Sequence, residues 1–308
     1  MHDPNPIAFS ARAKRYPQFA QALAQVGFPV LMTLCLGGFL GSVAAGHDPR
    51  KAMVVGIAMG YFTIALLERI FPYRDSWLHS SGDLTADSAW FVTNSGLNRL
   101  LEPPVLAAAT TAGAWLALRS GMNVWPTEWP LLGQLAFALV VAEFFEYWFH
   151  RLMHENAFLW RFHATHHSAP RLYWFNAIRF HAIDYIAVGI VKLIPLALLG
   201  APLEVFAGVN LFAAVHGAYQ HANVPVRIGP LNWIFSMTEL HRWHHARPAA
   251  EANHNYGGNL ALWDIVFGTR FLPTDRPPPE DIGLEGLEAF PTGYWQQLLS
   301  PFRWSKIR

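Results

Sequence analysis

Long uncharged apolar runs are the feature that most limits what this chain can fold into. Residues 26–45, VGFPVLMTLCLGGFLGSVAA, form an uncharged run of twenty residues. A helix of about 20 apolar residues is long enough to cross the hydrocarbon core of a bilayer. Charged residues are 14% of the 308-residue chain, whereas about 25% is usual for soluble domains. The sequence therefore predicts an integral membrane protein.

Five further apolar segments follow the first one. They cover residues 52–67, 104–118, 131–149, 185–199 and 205–215. The last two are short, and Lys192 interrupts one of them. Short connectors group the six segments into three hairpins, which return every long polar stretch to the same side. We predict an all-α membrane bundle of about four to six spans in hairpins, with a histidine-rich helical cap.

The distribution of basic residues predicts which side carries the cap. Only Arg50, Lys51 and Arg119 fall on the far side, whereas eighteen of the twenty-two Lys and Arg fall on the near side. By the positive-inside rule the near side is cytoplasmic. A bacterial inner membrane is favoured, with the endoplasmic reticulum as the alternative. A cleaved signal peptide over residues 1–46 is a competing interpretation, but its apolar core would exceed the usual length of about 7–15 residues.

Net charge argues against nucleic-acid binding, and cysteine content excludes intrachain disulfides and iron–sulfur clusters. The formal net charge is +1 and no dense basic run is present, so we expect no nucleic-acid partner. Cys35 is the only cysteine, so neither an intrachain disulfide nor an iron–sulfur cluster can form from this chain alone.

Histidines are concentrated in one part of the sequence. Twelve of the fifteen lie between His150 and His254. They include three clusters, HRLMH (150–154), HATHH (163–167) and HRWHH (241–245). The spacings i, i+3 and i+4 place the histidines of each cluster on one face of a helix. Because the polar stretches return to one side of the membrane, we expect the clusters to converge there.

The number of clustered histidines predicts two metal ions. Imidazole suits Zn, Cu, Fe and Ni, and one zinc takes four ligands, fewer than the eight histidines of the three clusters. A haem would use at most two of them. Three isolated histidines are further candidate ligands, and three carboxylates are candidates for orienting ligand imidazoles. The candidate ligands are His150, His154, His163, His166, His167, His181, His216, His221, His241, His244 and His245, and the carboxylates are Glu143, Glu146 and Asp264.

Two other functions fit a histidine-rich membrane chain. A metal transporter would place its ligands near the midplane of the bilayer, whereas these clusters follow the spans. A membrane zinc hydrolase would need a general base, for which Glu155 or Glu239 is available. However, HRLMH lacks the glutamate that the H-E-x-x-H pattern requires after its first histidine.

The three clusters in this order resemble those of the fatty acid hydroxylase/sterol desaturase superfamily of membrane di-iron oxygenases. The segments QHANV (220–224) and NYGGNLALWDIVFGT (255–269) also resemble that superfamily. The resemblance covers about residues 141–271 and defines a catalytic domain, with membrane spans over 1–140 and a surface tail over 272–308. The resemblance implies an aspartate at position 143, where this sequence has Glu143.

The resemblance implies a chemistry that the spacing alone does not. Two irons per chain would use O2 and electrons from an external donor, of ferredoxin or cytochrome b5 type, to oxidise a C–H bond of a lipid drawn from the bilayer. Hydroxylation is favoured over desaturation, because the closest motifs belong to branches that include a monooxygenase. The lipid itself is left open among fatty acyl, sterol, sphingolipid, carotenoid and ether-lipid chains.

Overall fold

A computed structural model describes residues 10–121, 124–278 and 280–307 of the chain. Within these residues the fold is all-α, as predicted, and isolated β-bridges occur without any strand. The helices are α1 (Pro17–Ala44), α2 (Pro49–Ile70), α3 (Leu84–Ser120), α4 (Leu131–Glu155), α5 (Ala157–His167), α6 (Ala182–Leu198), α7 (Leu203–His221), α8 (Thr238–His244), α9 (Ala249–Ala252), α10 (Leu262–Val266) and α11 (Tyr294–Leu299).

Three of the described helices, α1, α2 and α4, are long and apolar enough to cross a membrane. This confirms the predicted membrane character of the chain. The other predicted segments, 104–118, 185–199 and 205–215, lie essentially within α3, α6 and α7. Whether these three helices also cross the bilayer, and the cytoplasmic side of the cap, stay predictions.

Helix α7 lies at the centre of the bundle, between α1, α2 and α4. Its close contact with α2 depends on two glycines. A Cβ on Gly56 would lie 2.8 Å from Cδ1 of Leu211, and one on Gly60 would lie 2.7 Å from Cγ2 of Val215. Small residues let helix backbones approach closely in membrane proteins. The packing therefore fixes α7 along its length and sets the position of His221 at its end.

A single residue joins α4 to α5. Asn156 follows the last residue of α4, and its side-chain oxygen accepts the backbone N–H groups of Phe158 (2.9 Å) and Leu159 (3.1 Å). This side chain satisfies two of the N–H groups that the first turn of a helix leaves free. The sharp joint folds α5 back over the end of α4, so the first two histidine clusters, both helical as predicted, face each other.

Two buried ion pairs attach the segment after α5 to the beginning of α3. Arg171 Nε lies 2.7 Å from an Asp83 carboxylate oxygen, and Arg179 pairs with Asp87. Arg179 also donates to the carbonyl oxygen of Thr165. Charge-assisted bonds of this kind are stronger than neutral ones, so residues 168–181 are held against α3 and support the end of α5.

The C-terminal segment packs against the bundle through α11. The indole N–H of Trp90 donates to Gln297 (2.8 Å), and both residues are fully buried. The side chains of Trp295 and Phe302 remain exposed. The division of the chain at residues 140/141 and 271/272 stays a prediction.

Candidate metal centre

The predicted clusters converge, together with His221, into two groups of histidines at one end of the bundle. Within each group the candidate ligand atoms all lie within 4.8 Å of one another. The first group takes histidines from α4, α5 and α8, and the second from α5, α7, α8 and the residue that follows α8. The first group is His150, His154, His163, His167 and His244, and the second is His166, His221, His241 and His245.

Oxygen acceptors outside the groups fix the orientation of the rings. In the described residues, six of the nine histidines direct Nδ1 at such an oxygen. A backbone carbonyl cannot donate a hydrogen bond, so a neutral histidine facing one carries its proton on Nδ1 and leaves Nε2 with a free lone pair. The pairs are His150 with the Tyr256 carbonyl (2.7 Å), His154 with Asn253 Oδ1 (3.1 Å), His163 with Asp184 Oδ2 (2.9 Å), His166 with the Arg179 carbonyl (3.3 Å), His221 with Asn176 Oδ1 (3.0 Å) and His244 with the His254 carbonyl (2.8 Å).

Several Nε2 atoms of the first group are buried without a partner. Within the described part of the chain, Nε2 of His154, His167 and His244 has no hydrogen bond. Buried polar atoms are rarely left unpaired, and such exceptions often mark a site for an ion. Three unpaired Nε2 atoms within ligand distance of one another are the arrangement that a metal ion needs, so the first group fits one.

The second group has the spacing of ligands on a single ion. His241 Nε2 lies 2.8 Å from His221 Nε2, and His245 Nε2 lies 3.0 Å from His241 Nε2 and 3.2 Å from His166 Nε2. Two nitrogens each about 2.0–2.1 Å from one ion are about 2.8–3.4 Å apart at coordination angles of about 90–110°. The observed separations therefore fit a common metal ion.

Burial keeps the imidazoles neutral. It lowers the pKa of five histidines outside the long apolar helices well below the ordinary value, and the neighbouring imidazoles lower it further. Metal ligation requires the neutral form of histidine, so the lone pairs are available at neutral pH. An all-imidazole donor set suits iron, zinc and copper. These five histidines are His166, His167, His241, His244 and His245.

Two of the predicted ligands lie outside both groups. His181 is the N-cap of α6: its Nδ1 accepts the N–H of Ile183 (3.2 Å), and its Nε2 lies 3.1 Å from the carbonyl oxygen of Leu298. His216 lies on α7 between the rings of Phe28 and Phe212, with centroid distances of 5.3 and 5.6 Å. The structure does not bring these two side chains to the groups that could hold a metal.

Two of the three predicted carboxylates, Glu143 and Asp264, hold the backbone of a loop beside the histidines. Glu143 accepts the backbone N–H groups of Asn259 (2.8 Å) and Leu260 (3.2 Å). Asp264 accepts those of Tyr256 and Gly257, both at 2.8 Å. Together they fix the loop 255–261, whose Tyr256 carbonyl orients His150.

Glu146 has a different partner. Its Oε2 lies 2.8 Å from Nζ of Lys192, the charge that interrupts the apolar segment of α6. Both side chains are mostly buried. A charge between apolar helices is costly unless it is paired, and the ion pair accounts for the presence of both.

Sequence reasoning missed three residues whose side chains hydrogen-bond to ligand imidazoles. They are Asp184, Asn176 and Asn253. Asp184 carried a signal, since it is a lone acid at the start of an apolar segment. The two asparagines carried none, because Asn176 lies in a short 3₁₀ helix and Asn253 directly follows α9, and the positions of both segments follow from the fold.

A cavity of about 460 Å³ adjoins both histidine groups. Its wall includes His150 and His163 of the first group and His166, His221 and His241 of the second. It continues between α2, α3, α6 and α7, where most of its wall is apolar. This volume lies within the usual range of about 300–1,000 Å³ for small-molecule sites.

Comparison with known proteins agrees with the geometry. The fatty acid hydroxylase family profile matches residues 135–269. The ornithine lipid hydroxylase of Rhizobium tropici is 43% identical over 243 residues, which are 78% of this chain and 72% of that protein. The human alkylglycerol monooxygenase is 33% identical over 145 residues, which are 47% of this chain and 31% of the human one. A putative Δ7-sterol-C5(6)-desaturase of Arabidopsis thaliana is 30% identical over 152 residues, which are 45% of this chain and 48% of that protein.

No solved structure matches this chain. The matched residues 135–269 contain all nine histidines of the two groups and the loop that orients His150. The length and identity of the match to the bacterial hydroxylase extend the similarity well beyond this segment. The chain belongs to the fatty acid hydroxylase family.

Proposed function

We propose that this protein is an O2-dependent iron oxygenase that hydroxylates a membrane lipid bearing an amino-acid head group, such as an ornithine lipid. The observation that carries the proposal is the position of the two histidine groups at the wall of a cavity of about 460 Å³ that lies among apolar helices. The names of the relatives support the lipid class: one is an ornithine lipid hydroxylase and others are alkylglycerol monooxygenases.

The reaction needs two metals and an outside source of electrons. Its balance is R–H + O2 + 2 e⁻ + 2 H⁺ → R–OH + H2O. Two irons, one in each histidine group, would supply the activation of O2. The chain has one cysteine, so we propose a separate electron carrier of ferredoxin or cytochrome b5 type, which would reach a cap on the cytoplasmic side of a bacterial inner membrane.

The protein's own residues hold the ligands and keep water away. Asp184 and the Tyr256 carbonyl fix the rings of His163 and His150 through their Nδ1 atoms. Phe180 stacks on His166 with a centroid distance of 4.1 Å and an interplanar angle of 8°. Preorganised ligands and an apolar wall position a substrate carbon beside the histidine groups without reorganisation during the reaction.

Turnover of a purified sample tests the proposal. The protein in lipid nanodiscs, loaded with Fe(II) and supplied with ornithine lipid, O2, ferredoxin and ferredoxin reductase, should give a product 16 mass units heavier. A product two units lighter would indicate desaturation instead.

Two variants complete this test. His244→Ala should lose activity together with iron, whereas His79→Ala, an exposed residue far from the clusters in sequence, should keep both. A sample that holds two irons and oxidises no lipid under these conditions would contradict the proposal, and so would a single bound zinc with full activity.

A further inference from the structure

Polar side chains form a stripe along one wall of the cavity. Ser95, Asn98 and Glu102 lie at i, i+3 and i+7 of α3, and Asn210 of α7 lies beside them. Residues with this spacing share one face of a helix. Met53 and Ile57 of α2 line the same cavity, so the stripe lies where the cavity passes between α2 and α3.

The carboxylate of Glu102 is held in place by two amides. Asn98 Nδ2 donates to its Oε2 (2.6 Å), and Asn210 Nδ2 donates to its Oε1 (3.2 Å). Among the residues that the structure describes, no ion pair joins Glu102 to a cation.

The other carboxylate in the cavity wall is neutralised. Glu146 pairs with Lys192, whose Nζ is 2.8 Å away, and both residues line the cavity. The charges of this pair cancel, so among the described residues Glu102 is the carboxylate of the cavity wall that no protein cation neutralises. The cavity is thus suited to a ligand that carries a positive charge.

The stabilisation that Glu102 gives to the fold does not explain why an acidic residue is present at this position. A side-chain hydrogen bond between residues four apart on a helix, as with Asn98, stabilises the helix only weakly. Glu102 is partly buried in a cavity wall that is mostly apolar, and a charge in such surroundings is costly unless it is paired. The carboxylate, its two amide donors and the adjoining space together form a site for a cation.

We propose that Glu102, fixed by Asn98 and Asn210, binds the ammonium group of an aminolipid substrate. This rests on the proposed function and specifies which lipids the cavity accepts. The side chain of an ornithine head group ends in such an ammonium, and a charge-assisted N–H···O bond is about twice as strong as a neutral one. Lipids that lack the cation would bind without this contact.

Binding measured without turnover tests the proposal. Iron-free protein in detergent is titrated with ornithine lipid and with its Nδ-acetylated derivative, which has the same chains but no cation, and bound lipid is counted by native mass spectrometry. Wild-type protein should bind ornithine lipid at least 10-fold more tightly. Glu102→Gln, which keeps the size of the side chain, should remove this preference, and the matched control Glu128→Gln at an exposed position should retain it.

A second variant guards against loss of folding in the first. Asn210→Ala keeps the charge but frees one carboxylate oxygen, and should weaken binding of ornithine lipid by about 2- to 10-fold because the carboxylate is held less firmly. The binding assay needs neither iron nor O2, so it can succeed when turnover fails. If folded Glu102→Gln retains the full preference for the ammonium lipid, the proposal is wrong even where hydroxylation is observed.

Discussion

Replacement of Asp184 tests whether the residues around the ligands set the affinity of each metal separately. Asp184 Oδ2 lies 2.9 Å from Nδ1 of His163, and both side chains are almost fully buried. Asp184→Ala leaves a buried N–H without an acceptor, which costs about 1–3 kcal/mol. Loss of such a partner typically lowers metal affinity by about 10- to 100-fold.

The assay is an anaerobic titration of metal-free protein with Fe(II) against a competing chelator. In Asp184→Ala one iron should bind about 10- to 100-fold more weakly, and the other, in the group containing His166 and His241, should bind as in the wild type. Asp184→Asn keeps an acceptor oxygen, so its affinity for the first of these irons should fall less. The control Asp275→Ala, at an exposed position, should change the affinity of neither iron. Two irons bound at wild-type affinity in Asp184→Ala would refute the reasoning, as would equal weakening of both.

Three further variants follow from the structure. Asn156→Ala removes the two hydrogen bonds that cap α5 and should lower the free energy of unfolding by about 1 kcal/mol, seen as a lower melting temperature; an unchanged melting temperature would contradict the capping role. Gly257→Ala places a Cβ 2.2 Å from a backbone carbonyl oxygen, so it should displace the loop that orients His150 and reduce iron content; wild-type iron content would contradict this. His181→Ala should keep two irons per chain by atomic absorption whereas His241→Ala should lose one, and loss of iron in the first would show that it is a ligand.

The sequence predicted the clustering of the histidines because helical spacing is visible in the residue order. It did not predict which histidines belong to which of the two groups. His166 and His167 are neighbours in the sequence but belong to different groups, because successive residues on a helix point about 100° apart. Only the positions of α7 and α8 decide which ring each of them faces.

Isolated histidines were harder to interpret than clustered ones. His216 and His221 are five residues apart on α7, so their side chains point in different directions. His221 lies at the end of the helix beside His241, and His216 packs between phenylalanine rings. Both histidines lie in the same short stretch, HGAYQH, and it is the packing of α1 against α7 that gives them different surroundings.

The source of the oxygen in the product tests the central claim most directly. Purified, iron-loaded protein is supplied with reductant, ornithine lipid and 18O2 in ordinary water, and the product is analysed by mass spectrometry. Hydroxylation by O2 predicts a product 18 mass units heavier than the substrate, formed only when the electron carrier is present. A hydroxyl oxygen that comes from water, or repeated turnover without any reductant, would contradict the assignment of this protein as a lipid oxygenase.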